Sequence, residues 1–238
     1  MELDHIDIVL THKCPNRCKF CIDKFVNTND DIVSEESVKW FLDKIKKHNV
    51  KTNEVLFLGG EPTIVDFDKL KRIADIVKSC GYSPIVSTNN FNNEVVRQIT
   101  DIFDWVQITV HNDKQIEYFK NIENHNKINI KMAGDHTMNI EKLEHFIDVT
   151  RDFERRSISM YFTPDFKELC TDEDVWLLLN GLKWERCGSY LYTFYKGVRI
   201  KRCIYGETNI IDEPLVPKLY PNGNYNKTWC DEKMDDYL

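Results

Sequence analysis

The chain has 238 residues, enough for one large core or a core with a small addition. Hydrophobic residues at 42% and charged residues at 30% describe an ordinary globular protein, and no uninterrupted apolar run approaches membrane-spanning length. A net charge of −7 argues against non-specific binding of long nucleic acid, yet says nothing against a small phosphorylated partner.

Leu3 to Leu10, with β-branched Ile6, Ile8 and Val9, reads as a first strand. It starts almost at Met1, so neither a basic-then-apolar leader nor an N-terminal recognition domain is expected, and the expected location is the cytoplasm. There, eight cysteines read as metal ligands and buried thiols, not as a disulfide framework. Cys14, Cys18 and Cys21 follow the strand, spaced CxxxCxxC. Thiolates are soft ligands, and cysteine quartets hold iron–sulfur clusters. With only three together, one iron lacks a nearby thiolate, and an open position is what a metal needs to bind a reactant. The same thiols could hold zinc with His5 or His12, or be unrelated, although a zinc ribbon shows two CxxC pairs and no second pair occurs.

Ser34 is a good N-cap, with Glu35 and Glu36 in the first turn and Val38, Phe41, Leu42 and Ile45 at helical spacing. Asn53 to Leu58 reads as a second strand ending in Gly59-Gly60-Glu61-Pro62, where two glycines let a ligand approach the backbone closely. Asp66 or Asp68 starts the next helix and Gly81 stops it, with Cys80 in its final turn as a structural thiol. Pro84 to Thr88 is a third strand, followed by Asn89-Asn90 at its C-terminal rim. A helix capped by Asn92 or Asn93 leads to a fourth strand, Trp105 to Val110, which ends at Thr109, His111 and Asn112. A short polar helix near Gln115 to Glu123 precedes a fifth strand, Lys127 to Met132. An amphipathic helix with Leu143, Phe146 and Ile147 then leads to a sixth strand, Ile158 to Phe162. Such alternation predicts a parallel sheet with its chemistry at the strands' C-terminal ends.

After Pro164 the pattern changes, which predicts a core over residues 1–165 and an extension over 166–238. Thr171 caps one more helix, Tyr190 to Tyr195 and Val198 to Arg202 form a hairpin about Lys196-Gly197, and Pro221-Asn222-Gly223 makes a second turn. Cys170, Cys187, Cys203 and Cys230 are widely spread, so no auxiliary cluster is expected. The first hairpin carries Lys196, Arg199, Lys201 and Arg202 without an acid. Alternation puts Arg199 and Lys201 on one face and Arg202 on the other, either as solvated edge charges or as a clamp for a phosphate or carboxylate.

CxxxCxxC early in the chain and GGEP after the second strand together resemble the radical S-adenosylmethionine (SAM) enzymes, over roughly residues 1–165. That resemblance implies an α/β fold of the open (β/α)6, partial TIM-type barrel kind, here with a small β-rich C-terminal extension over the barrel. It implies a 4Fe–4S cluster on Cys14, Cys18 and Cys21, with SAM chelating the fourth iron. Phe20 would lie against the adenine, and Gly59, Gly60, Glu61 and Pro62 would meet the methionyl amino group. Thr88 and Asn89 would sit near the cofactor, with Thr109, His111 and Asn112 as candidates for its ribose or carboxylate. The implied reaction is reductive cleavage of SAM to a 5′-deoxyadenosyl radical that takes hydrogen from a substrate.

The substrate expected is a small molecule, anionic or nucleotide-like, touching Arg199 or Arg202. A one-electron donor such as flavodoxin or ferredoxin is the implied partner, with no membrane. A peptide- or protein-modifying enzyme and a glycyl-radical activase are the alternatives within the family. A non-catalytic zinc protein is the alternative outside it.

Overall fold

A computed structural model describes residues 3–16, 31–134, 138–160, 173–187, 190–203, 216–223 and 225–226. The class is mixed α/β with mostly parallel strand pairing, in two compact units. Among the described residues no helix is long and apolar enough to cross a membrane.

The first unit takes residues Met1–Val106 and Pro214–Leu238. Its strands are β1 (Ile6–Val9), β2 (Glu54–Leu58) and β3 (Ser83–Thr88), paired parallel in that order. Every residue of β1 is buried, as expected of a parallel strand covered on both faces. Helices α1 (Glu35–Lys47) and α2 (Phe67–Ser79) connect these strands, and α3 (Asn93–Ile102) follows them. Each start is fixed by a side-chain oxygen that takes an orphan backbone N–H: Ser34 from Ser37, Asp66 from Lys69, Asn92 from Glu94 and Val95. Val38, Phe41, Leu42 and Ile45 form the buried stripe of α1, and Phe57 on β2 meets Phe103 edge-on at 5.4 Å.

Strand β4 (Trp105–Val110) carries the chain into the second unit, Gln107–Glu213. There α4 (Asp113–Lys120), β5 (Ile128–Gly134), α5 (Ile140–Val149), β6 (Arg155–Met160) and α6 (Glu173–Asn180) continue the alternation. A meander of β7 (Glu185–Cys187), β8 (Tyr190–Tyr195) and β9 (Val198–Cys203) follows. The strand order in this unit is β5-β6-β9-β8-β7, with β6–β9 parallel and the last two pairings antiparallel. Lys196 at φ 48° and Gly197 at φ 77° form the tight turn expected between β8 and β9.

The compact units divide elsewhere than at residue 165. Strand β9 adds directly to β6, so the first hairpin belongs to the second unit. The last described segment returns to the first unit, where β10 (Lys218–Leu219) pairs parallel with β1 and antiparallel with β11 (Tyr225–Asn226).

Candidate functional site

The backbone beyond β1 runs toward Cys14 and is held on one side by the Gly59-Gly60-Glu61 segment. Leu10 N–H donates to Leu58 O at 2.8 Å, Gly60 N–H to Thr11 O at 2.7 Å, and Glu61 N–H to Lys13 O at 2.8 Å. The β1–β2 ladder thus continues past both strands. A short bridge from Thr11 to Ile32, with Val33 N–H donating to Leu10 O, flanks the same segment.

The glycines are required by this contact. A Cβ on Gly59, whose φ is 131°, would lie 2.3 Å from Thr11 O, and one on Gly60 would lie 2.1 Å from Lys13 O. The expectation is close approach of a ligand; the chain's own backbone at Thr11 and Lys13 also approaches here. Cys14 itself is exposed, and Asn16 N–H donates to its sulfur at 3.4 Å. A donor of this kind favours the thiolate, the form that binds metal. Cys18, Phe20 and Cys21 lie outside the described residues.

Glu61 is 3% exposed and organises the next layer. Its Oε1 accepts from Thr63 N at 3.1 Å, Thr63 Oγ1 at 2.7 Å and Thr88 Oγ1 at 2.6 Å, while Oε2 accepts from Asn89 N at 3.0 Å. Pro62 opens the short 3-10 turn that Glu61 caps. Gly59, Gly60, Glu61, Pro62, Thr88 and Asn89 therefore lie together, tied across the ends of β2 and β3. Asn90, which the sequence left without a role, closes the network: its Nδ2 donates to Thr63 Oγ1 at 3.0 Å and its Oδ1 accepts from Asn92 N at 2.9 Å. The signal was present in Asn90-Phe91-Asn92, since asparagine bonds backbone two residues on.

Glu61→Gln tests this network. The amide would set an NH2 group where a carboxylate oxygen meets a donor, and would remove the charge from four bonds. A loss of about 1–3 kcal/mol is expected, as for a buried polar group left unsatisfied. Urea unfolding of the two proteins reads it; identical midpoints would show that the carboxylate does not brace the loop.

The remaining expected residues belong to the second unit. Thr109 is half-buried near the end of β4. His111 is exposed, and its backbone N–H donates to Gln115 Oε1 at 2.7 Å. Asn112 caps α4, its side chain accepting from Gln115 N at 3.1 Å. Arg199 and Arg202 are half-buried on β9, on opposite faces by alternation. Of the other cysteines, Cys80 is half-buried at the end of α2; Cys170 and Cys230, with the side chains of Cys187 and Cys203, lie outside the described residues. His5 and His12, the histidines open to a zinc reading, are both buried: His5 Nε2 lies 3.4 Å from Asp7 Oδ1, and His12 stacks on Tyr220.

The radical SAM superfamily model matches residues 8–133. An uncharacterized protein of Methanocaldococcus jannaschii is 28% identical over 175 residues, covering 57% of this chain and 20% of its own length. Streptococcus suis SuiB, bound to its precursor peptide SuiA, is similar in structure with a TM-score of 0.59 at 14% identity, covering 94% of this chain and 59% of SuiB. The structure of anSMEcpe with bound AdoMet gives 0.51 at 13% identity, covering 66% and 51%. The chain thus spans a fifth of the curated relative and under two thirds of either solved structure. At such identity the structural likeness shows the fold alone, an α/β class whose mostly parallel pairing the strand–helix alternation predicts and whose partial barrel the family resemblance implies.

Proposed function

We propose, from the premise that this chain belongs to the radical SAM superfamily, that it cleaves SAM reductively and takes a hydrogen atom from a small, anionic substrate. The family's cofactors are a 4Fe–4S cluster and SAM, which together supply the 5′-deoxyadenosyl radical when bound. The observation that carries the reading is the direct coupling of the two motifs. The Gly60 and Glu61 N–H groups bond the backbone at Thr11 and Lys13, and so hold the GGEP segment beside the chain that enters Cys14.

The donor set at the cysteine loop fits a cluster: a soft thiolate ligand at Cys14, exposed and supported by a backbone N–H. We assign Cys18 and Cys21 as the other two ligands and Phe20 to the adenine. Gly59, Gly60, Glu61 and Pro62 would present the GGEP backbone to the methionyl amino group. The Glu61 carboxylate acts chiefly by fixing that backbone, since Thr63, Thr88 and Asn89 already donate to it. Thr88 and Asn89 bound the same pocket in this proposal, and Thr109, His111 and Asn112 serve the ribose or carboxylate. The chain's remaining tasks are to exclude water from the radical and hold the target C–H within reach. A flavodoxin- or ferredoxin-like protein would deliver the electron, in the cytoplasm.

Anaerobic reconstitution with iron and sulfide, then dithionite and SAM, tests the reading. Release of 5′-deoxyadenosine and methionine from a brown protein is expected. A colourless protein that holds zinc and leaves SAM intact would overturn it. A peptide substrate is the second reading, favoured by the fold shared with SuiB, which holds its precursor peptide. Isotope transfer from labelled candidates into 5′-deoxyadenosine separates the two.

A further inference from the structure

The sheet of the second unit has two chemically different faces. Tyr195 on β8 donates through its hydroxyl to Glu144 on α5 at 2.7 Å, and Arg156 on β6 donates through Nη1 to Ile147 O of α5 at 3.2 Å. Helix α5 therefore covers the face that holds Arg156 and Tyr195. Lys196, followed by the Tyr195 hydroxyl, holds the Glu144 carboxyl below its usual range, so this contact is charged at neutral pH. By register and alternation, Ile158, Val198, Ile200 and Arg202 lie on this same face.

Among the described residues of these strands, cations gather on the opposite face. Register aligns Lys131 on β5, Ser157 on β6 and Arg199 on β9 in one row across three adjacent strands. The next row toward the C-terminal ends holds Ala133, Ser159 and Lys201. Arg155 lies in the row before, beside Asn129, whose amide oxygen accepts from Ser157 Oγ at 3.4 Å. Among the described residues of these strands, the acid on this face is Glu185 on the edge strand β7, which is exposed and lies 3.9 Å from Lys183.

Two features make the face more than a solvated surface. Ser157 and Ser159 are buried at 7% and 6% exposure, while Lys131, Arg199 and Lys201 are half-buried. The Arg199 guanidinium also stacks on the ring of Tyr192 at 3.8 Å, and Tyr192 is itself 6% exposed. Stacking fixes the plane of the fork, so less freedom is lost when it engages a ligand.

Resting on the radical SAM reading above, we propose that Lys131, Ser157 and Arg199 bind an oxyanion group of the substrate, with Ser159 and Lys201 completing the site. Neighbouring strands lie about 4.8 Å apart, so two cations flank a central hydroxyl. That spacing suits a group with several acceptor oxygens, a phosphate or a dicarboxylate. The Ser157 hydroxyl, which has one proton and donates it to Asn129 at 3.4 Å, would turn that donor to the anion, and an arginine fork binds either group in bidentate fashion. Arg202, on the face packed against α5, is no part of the site. The residues expected from sequence alone thus divide: Arg199 belongs to the anion site and Arg202 does not.

The test is titration of the reconstituted full chain with inorganic phosphate and, separately, with succinate, by calorimetry. Saturable binding of at least one is expected, and which one binds identifies a phosphoryl or a carboxylate group. Arg199→Gln and Lys131→Met should each weaken that binding roughly tenfold, as for one lost charge-assisted bond. Arg199→Lys, which keeps the charge and loses the fork, should weaken it less. Arg202→Gln should leave it unchanged. Absence of binding of both anions, equal affinity in Arg199→Gln, or equal weakening in Arg202→Gln would each overturn the proposal. So would displacement of phosphate by SAM, which would make this the carboxylate site of the cofactor. Reductive SAM cleavage by the unsubstituted protein is measured alongside. Cleavage without anion binding defeats this inference alone, and anion binding without cleavage defeats only the function on which it rests.

Discussion

Serine at any one of Cys14, Cys18 or Cys21 is expected to abolish iron binding and SAM cleavage together. A serine hydroxyl is hard and poorly acidic, so at neutral pH it stays protonated where cysteine offers a soft thiolate. With three cysteines in the motif, removal of one leaves two, which cannot hold a cluster of that nuclearity. At Cys14 the local geometry sharpens the expectation. Its sulfur takes a backbone N–H from Asn16, and the backbone before it is bonded to Gly60 and Glu61, so the thiolate arrives in a fixed place. Cys80, half-buried at the end of α2, provides the comparison: Cys80→Ser should keep its iron and its visible absorbance. Iron assay and production of 5′-deoxyadenosine read the outcome. Full turnover in Cys18→Ser would remove the cluster from this loop.

Local chemistry was legible in the sequence, and pairing over long distances was not. Ser34, Asp66 and Asn92 were readable as helix starts, the last two each beside one alternative, because a cap needs only one short polar side chain three residues or fewer from its donor. The hairpin turn at Lys196-Gly197 was readable for a similar reason. Nothing within Val198–Cys203 says that it adds parallel to β6, nor does a two-residue strand at Lys218–Leu219 announce β1 as its neighbour. Those choices depend on which edges remain open once the rest has folded.

At the site, the described residues of the motif also serve the chain's own structure. Gly59 and Gly60 were read as clearance for a ligand, and they clear the chain's own Thr11 and Lys13 carbonyls. Glu61 was read as facing a charged ligand, and its carboxylate is taken by Thr63, Thr88 and Asn89. One further signal was available. An aspartate inside a fully apolar parallel strand needs a cation, and Asp7 sits among Ile6, Ile8 and Val9.

That cation is Lys218. Lys218 is 1% exposed and Asp7 fully buried, and the ammonium donates to Asp7 Oδ2. Asp7 N–H also donates to Pro217 O at 2.9 Å, so backbone and side chain together hold β10 against β1. Immediately downstream, the fully buried Tyr220 stacks on His12, with ring centroids 6.2 Å apart and planes 25° apart. His12 precedes Cys14 by two residues, so the segment around Lys218 packs beside the chain that enters the cysteine loop. Lys218→Met leaves the buried carboxylate without its lysine, with the His5 ring nitrogen still 3.4 Å from Oδ1, and should cost about 3–5 kcal/mol in urea unfolding. Iron should also be lost faster under chelation, because the segment that supports His12 is released. Asp7→Leu combined with Lys218→Met removes both charges and should recover most of the stability, since a buried ion pair is often no better than apolar side chains of similar volume. The recovery decides the point. If the double variant is as unstable as Lys218→Met alone, the lysine acts through its packing and not through its charge.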